Sequence, residues 1–315
     1  MGMEVPISIR IGARRAYIVG MSTIDDLNKR LGIPDVLSFD EGEGDLPFAR
    51  IRSDRGAADV SLYGANVTHF KPVGVEHPVL WMSPEAVFAE GKAIRGGIPV
   101  CWPWFGNHPS GSPEKPAHGV ARIRLWDVRE ARVDDSGRVR LKLAMPGTES
   151  DLALTLEIAV GAALELRLTT ENTGDAPVAM TAALHTYFSV SEIGNVRIKG
   201  FDGVEYWDQL EDNAEKRQDG DIVIDREVDR IYVSTEGECR ILDAGWERII
   251  RVAREGSGSA VVWNPWIEKS ARLGDFPDDG YPGMLCIEAA NAGPDVVTLQ
   301  PGMRHVLGTT ISVMP

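Results

Sequence analysis

The stretch LALTLEIAVGAALELRLTT, residues 152–170, decides the fold. Leu152, Leu154, Leu156, Ile158 and Val160 alternate with Ala153, Thr155, Glu157 and Ala159, a period of two. Beyond Gly161 the alternation resumes, with Leu164, Leu166 and Leu168 set against Glu165, Arg167 and Thr169. That rhythm predicts two half-buried strands. Working outward, Asn172-Thr173-Gly174-Asp175 supplies turn chemistry, and a third strand-like run covers Val178 to Val190. Upstream, Asp134-Asp135-Ser136-Gly137 reads as a hairpin turn. Downstream, Val296 to Leu299, the Pro301-Gly302 turn and Val306 to Val313 repeat the pattern. Short strands joined by turns, with no alternating helices, predict an all-β fold, a large antiparallel β-sandwich.

Helix signals are few. Ser22-Thr23-Ile24-Asp25-Asp26 before Leu27 and Leu31 predicts a short N-capped helix ended by Gly32 and Pro34. The acidic, glycine-containing segment Asp35 to Leu46 reads as a linker. Residues 1–46 are therefore expected to form an N-terminal arm and linker, and residues 47–315 a single domain. Ile7 to Ile11 and Ala16 to Val19 read as a strand pair, either covering a sheet edge or reaching a neighbouring chain. The oligomeric state stays open.

Composition excludes several classes. The 315 residues carry 33 basic and 47 acidic side chains, a formal net charge of −14, which argues against a nucleic-acid binder. Cys101, Cys239 and Cys286 are widely spaced and odd in number, which fits neither a disulfide framework nor a structural zinc site. Apolar runs are strand-sized, so no membrane span is expected. The N-terminus lacks an apolar block followed by a small-residue cleavage site, and a cytoplasmic location is the expectation.

Two loops draw attention. Residues 91–122 and 263–283 are long, rich in Gly, Pro and Trp, and such segments inside a compact domain are usually functional. Each holds two tryptophans, Trp102 with Trp104 and Trp263 with Trp266. Indole faces stack on the CH faces of sugar rings, although the same residues would serve as apolar plugs at the mouth of a sandwich.

Candidate chemistry falls on four side chains. In ALHTYFSV, residues 183–190, strand alternation sets Leu184, Thr186, Phe188 and Val190 on one face and Ala183, His185, Tyr187 and Ser189 on the other. A histidine and a tyrosine among small neighbours suggest a cavity with polar floor groups. Glu288 interrupts the apolar run Met284-Leu285-Cys286-Ile287-Glu288-Ala289-Ala290, where a carboxylate is costly unless paired or useful as a base. The alternative is a buried ion pair with an arginine. Arg95 before Gly96-Gly97-Ile98-Pro99 and Arg122 at the end of His118-Gly119-Val120-Ala121-Arg122 suit a bidentate clamp on a phosphate or carboxylate. The six histidines show no i,i+4 pair and no His-x-Glu, and no Gly-x-Ser-x-Gly elbow occurs, so neither a metal site nor an acyl-transfer nucleophile is expected.

The motifs RGGIPVCWPWFG (95–106), HGVAR (118–122), LHTYF (184–188) and WNPW (263–266) occur in order, followed by DGY (279–281) and CIE (286–288). Together they resemble the glucose-6-phosphate 1-epimerase (hexose-6-phosphate mutarotase) branch of the aldose 1-epimerase superfamily, over about residues 47–315. The resemblance implies a galactose mutarotase-like supersandwich that interconverts the α and β anomers of a hexose phosphate without a cofactor. It implies His185 as catalytic acid and Glu288 as catalytic base. Arg95, Arg122 and Asp208 would bind substrate, with His118 and Trp263 beside them. Ala117 and Ala289-Ala290-Asn291 depart from other members and leave the hexose phosphate open. Two other readings stand beside this one. One is a non-catalytic carbohydrate-binding sandwich; the other is a glycoside hydrolase using Glu288 with Asp208, which needs two carboxyl groups roughly 5–9.5 Å apart.

Overall fold

The computed structural model describes residues 9–11, 14–16, 23–235 and 237–314. Residues 152–172 form a hairpin. Strand Leu152–Val160 runs antiparallel to Ala163–Asn172, with Leu156 opposite Leu168 and Ile158 opposite Leu166. Every leucine of the predicted apolar face is buried, while Thr155, Glu157, Glu165 and Arg167 lie half-exposed on the other face. Each buried leucine contributes roughly 1.5–3 kcal/mol.

This hairpin sits inside an eight-stranded sheet. In spatial order its strands are Val196–Lys199, Glu238–Asp243, Arg248–Glu255, Arg304–Met314, Ala163–Asn172, Leu152–Val160, Val139–Ala144 and Asp127–Val133. A second sheet faces it, ordered Ala214–Arg217, Glu205–Asp208, Val228–Val233, Ser259–Asn264, Met284–Asn291, Ala182–Leu184 and Val100–Cys101, with Tyr187–Ser189 also paired to Met284–Asn291. The strand pairings of both sheets are antiparallel. Leu154, Leu156, Leu164 and Leu166 of the first sheet and Leu184, Phe188, Leu285 and Ile287 of the second share one core. The fold is the expected all-β antiparallel sandwich.

The second sheet is covered on its other face too. Ala183, Tyr187, Cys286, Ala290, Val261, Trp263 and Ile231 form a separate apolar cluster there, closed by Phe276 from the 263–283 loop. Burial on both faces explains why Met284–Asn291 reads as an unbroken apolar run rather than an alternating one. Such a strand offers no solvent to a carboxylate on either side.

Near the N-terminus, the helix forms as predicted. It spans Ile24–Leu31, and Thr23 and Asp26 complete a reciprocal capping box. The linker reading of residues 35–46 is corrected. Leu37–Glu41 is a strand paired with Pro47–Arg52 in a four-stranded sheet, because Leu37 and Phe39 alternate inward and are buried. Ile9–Ile11 pairs antiparallel with Arg14–Ala16; the rest of the proposed N-terminal strand pair lies outside the described residues. Among the described residues, no helix is long and apolar enough to cross a membrane.

The run Val178 to Val190 is three strands rather than one. Val178–Met180 pairs with Val297–Leu299, whereas Ala182–Leu184 and Tyr187–Ser189 pair with Met284–Asn291. The ladder breaks at His185-Thr186, where the His185 N–H donates to Pro99 O at 3.0 Å.

Candidate active site

That break is where the candidate residues meet. Leu184 opposes Ala289 and Tyr187 opposes Cys286, so the two short strands keep a single register on Met284–Asn291. This register sets His185 opposite Glu288. Nε2 of His185 lies 3.3 Å from Oε1 of Glu288. The faces predicted for residues 183–190 hold: Leu184 and Phe188 enter the main core, and Ala183 and Tyr187 the second cluster.

Electrostatics follow from burial. Glu288 is 1% exposed and His185 8%. Burial holds the Glu288 carboxyl well above its ordinary range; Asp229 pushes the same way and Arg122 opposes it. Burial also keeps His185 well below its usual value, reinforced by His118, Arg122 and Arg95. Nδ1 of His185 and Oε2 of Glu288 are buried without a hydrogen-bond partner on another residue among the described residues. No arginine lies in ion-pair contact with Glu288 among the described residues, so the alternative of a buried Arg–Glu bridge is not what forms.

The RGGIP motif is zipped to LHTYF through its backbone. Gly97 O accepts from Tyr187 N at 2.9 Å, alongside the Pro99–His185 bond. Gly97 has φ +70, and a Cβ there would lie 2.4 Å from Val67 O. Arg95 is thereby presented beside the pair. Its Nε and Nη2 lie 3.1 and 3.0 Å from Oδ1 of Asp275, and Nη1 donates to the Tyr187 hydroxyl at 3.1 Å. Arg122 is different. Its Nη2 donates to Ala117 O at 2.9 Å, and it makes no ion pair among the described residues. The two arginines of the expected clamp are therefore unequal: one is already neutralised.

His118 belongs to the same wall. Its ring meets His185 edge-on at 5.7 Å. The backbone, at φ +60, is held by His118 N donating to Gly106 O at 2.6 Å, while Gly106 N donates back to Nδ1 at 3.3 Å. An Nδ1 that accepts cannot carry the proton, so the neutral ring has its N–H at Nε2. Burial first, then Arg122 and Arg95, depress its pKa to about 3. Trp263 joins as well, edge-on to both His185 and Tyr187 at 6.1 and 6.0 Å. The other loop tryptophans do not. Trp102 is buried with Nε1 bonded to Thr170, Trp104 donates to Pro116 O, and Trp266 packs on Tyr281. Those three are plugs.

Asp208 is not brought to this cluster. It opposes Arg230, in line with Val262 and Ile287, so its side chain projects from the face opposite to that of Glu288. There it pairs with Lys216 at 2.9 Å. The Glu288–Asp208 pair needed for glycoside hydrolysis is thus divided by the sheet. An acid that does share the face of Glu288 is Asp229, in line with Trp263 and Cys286. Lys269 approaches it at 3.7 Å, and burial raises its pKa. The sequence carried a signal for it: in Val228–Val233, Asp229 shares a face with Ile231 and Val233. Trp81, which no motif marks in the sequence, stacks on Tyr187 at 5.9 Å. Among the described residues no group of three or more His, Cys, Asp or Glu is arranged to hold a metal ion.

With this geometry in view, the chain matches the aldose 1-epimerase family model over residues 48–312. A "Putative glucose-6-phosphate 1-epimerase" from Cenchrus ciliaris is 37% identical over 274 residues, covering 82% of each chain. A protein of the same name from Salmonella typhimurium is 36% identical over 278 residues, covering 85% of this chain and 91% of that one. Among solved structures, a "putative mutarotase (YeaD)" from Salmonella typhimurium superposes with a TM-score of 0.81 at 33% identity, covering 90% of this chain and 95% of that one.

Proposed function

The chain belongs to the aldose 1-epimerase family, and on that premise we propose that it interconverts the α and β anomers of a hexose 6-phosphate, glucose 6-phosphate first. The observation that carries the reading is the His185–Glu288 contact at 3.3 Å, beside an arginine with no carboxylate partner among the described residues. The choice of substrate is supported by two similar proteins that bear the name "Putative glucose-6-phosphate 1-epimerase".

In the proposed reaction Glu288 removes the proton of the anomeric hydroxyl while protonated His185 delivers one to the ring oxygen. The C1–O5 bond breaks and C1 becomes an aldehyde. Rotation about C1–C2 presents the other carbonyl face, and both transfers reverse. The pair enters as carboxylate with imidazolium and passes through carboxylic acid with imidazole, holding one proton throughout. Burial favours the uncharged arrangement and the close contact favours the ionised one, and the two differ by one proton passed within the pair. Each positioned acid or base contributes roughly 10²–10⁴-fold. Neutral His118 offers an N–H donor to a sugar oxygen, Asp229 an acceptor for a hydroxyl, and Trp263 an apolar face. Arg122 takes the phosphate.

Two-dimensional exchange NMR at the anomeric protons of glucose 6-phosphate, with glucose and galactose as controls, tests the reading. Protein-dependent cross-peaks for the phosphorylated sugar, lost in Glu288→Gln with binding retained, are expected. Equal exchange on all three sugars would make it a general aldose mutarotase. Absence of exchange on any, with binding intact, would leave a sugar-binding module.

A further inference from the structure

A proton-transferring imidazole is usually oriented by a hydrogen bond from its second nitrogen. His185 has no such bond to another residue among the described residues: Nδ1 is buried and meets no outside partner. Packing must therefore hold the ring. His118 and Trp263 meet it edge-on, and the Tyr187 ring covers its face, stacked at 4.8 Å and 11°. Tyr187 is backed by Trp81 and anchored at its hydroxyl by Arg95 Nη1 at 3.1 Å. Arg95 in turn is gripped by Oδ1 of Asp275 through both Nε and Nη2. The far end is also fixed. Ser83 Oγ donates to Asp275 O at 2.7 Å, and the neighbouring Phe276, 1% exposed, packs on Trp81 at 4.9 Å.

We propose that Asp275 is a positioning residue for the proton-transferring pair, fixing the His185 ring through Arg95 and the Tyr187 hydroxyl. The inference rests on the epimerase reading above. It gives the 263–283 loop a task in addition to covering the sheet. It also separates the arginines by role: Arg95, compensated by Asp275, braces the wall, and Arg122 is left for the anion. An ordinary half-exposed ion pair would add little to stability and nothing to turnover.

Asp275→Asn and Tyr187→Phe, singly and together, separate the alternatives. Anomer exchange is measured on glucose 6-phosphate and glucose, with the His185 ring proton signals recorded in each folded variant. The expected result for Asp275→Asn is a kcat about 10- to 100-fold lower on both sugars, since small misplacements of a reacting group cost that much, with KM little changed. The double variant should be no slower than the slower single one, because both changes cut the same chain. The ring signals should shift or broaden, and Asp275→Glu should recover part of the rate. An unchanged kcat, independent losses that multiply in the double variant, or an effect confined to KM of the phosphorylated sugar would each overturn the proposal. If Asp275→Asn does not fold, Asp275→Glu and Tyr187→Phe carry the same comparison. Loss of the epimerase reading would show separately, as a wild-type protein without exchange on either sugar; the ring signals then still decide the brace.

Discussion

His118 sits in a left-handed backbone conformation, with Nδ1 committed to the Gly106 N–H and its pKa depressed to about 3. The unfolded chain titrates near 6.5, so between these values the unfolded state binds the extra proton. Stability from keeping this ring neutral is full above pH 6.5 and is lost as pH falls toward 3. Replacing His118 by Asn should therefore flatten the pH dependence of unfolding free energy, by about 1.4 kcal/mol per pH unit between pH 4.5 and 6. Urea titrations of both proteins at several pH values check this, and parallel slopes would contradict it. Glu288 was legible in the sequence because a carboxylate inside MLCIEAAN has no cheap explanation. His118 had no such signal, since its environment is made by Gly106, Arg122 and Arg95, which only the folded loop brings around it.

Elements place these residues by backbone contact more than by side chains. The peptide of Trp102 runs against Gly119, and its carbonyl accepts from Val120 N at 2.8 Å. Gly119 has φ +73, and a Cβ there would stand 2.0 Å from Trp102 O. A Cβ on Gly111, at φ +68, would meet nothing within 4 Å beyond its chain neighbours among the described residues. Both Gly→Ala changes bear the left-handed penalty of about 1–2 kcal/mol, but only Gly119→Ala adds a clash and displaces His118. Gly119→Ala should thus lose more stability than Gly111→Ala, and it alone should slow anomer exchange. Equal losses, or exchange left intact, would mean that the loop tolerates the shift. At this scale the hairpin of 152–170 was fully readable, because its alternation is local. The division of Val178 to Val190 was not: it follows from pairing with Val297–Leu299, Met284–Asn291 and Val100–Cys101, all far away in sequence.

Over the whole molecule, a net charge of −14 opposes the approach of a dianionic sugar phosphate. At physiological salt that field fades beyond about 8 Å, so the nearest charges govern binding. Arg95 is balanced by Asp275, and Arg122 lacks such a partner among the described residues. Arg122→Ala should raise KM for glucose 6-phosphate about 10- to 100-fold, the worth of a charge-assisted hydrogen bond of about 1.5–3 kcal/mol, and leave the KM of free glucose nearly unchanged. Steady-state exchange kinetics on the two sugars measure this. The same loss on both would remove Arg122 from the phosphate.

Alternation along 152–170 and the turns around it were enough to determine a two-sheet antiparallel sandwich, because inward and outward faces are a property of each strand alone. Ordered motifs were enough to point to sugar epimerisation, and a charge in an apolar run was enough to single out Glu288. Which groups share a face across neighbouring strands was another matter. That depends on register between segments far apart in the chain, and a count along one strand carries no information about its partner. So the tertiary structure alone set His185 opposite Glu288, turned Asp208 away and Asp229 inward, and paired Arg95 with Asp275. It also drew Leu37–Glu41 into a sheet where an acidic linker had been expected, since two inward side chains outweigh the polar residues around them.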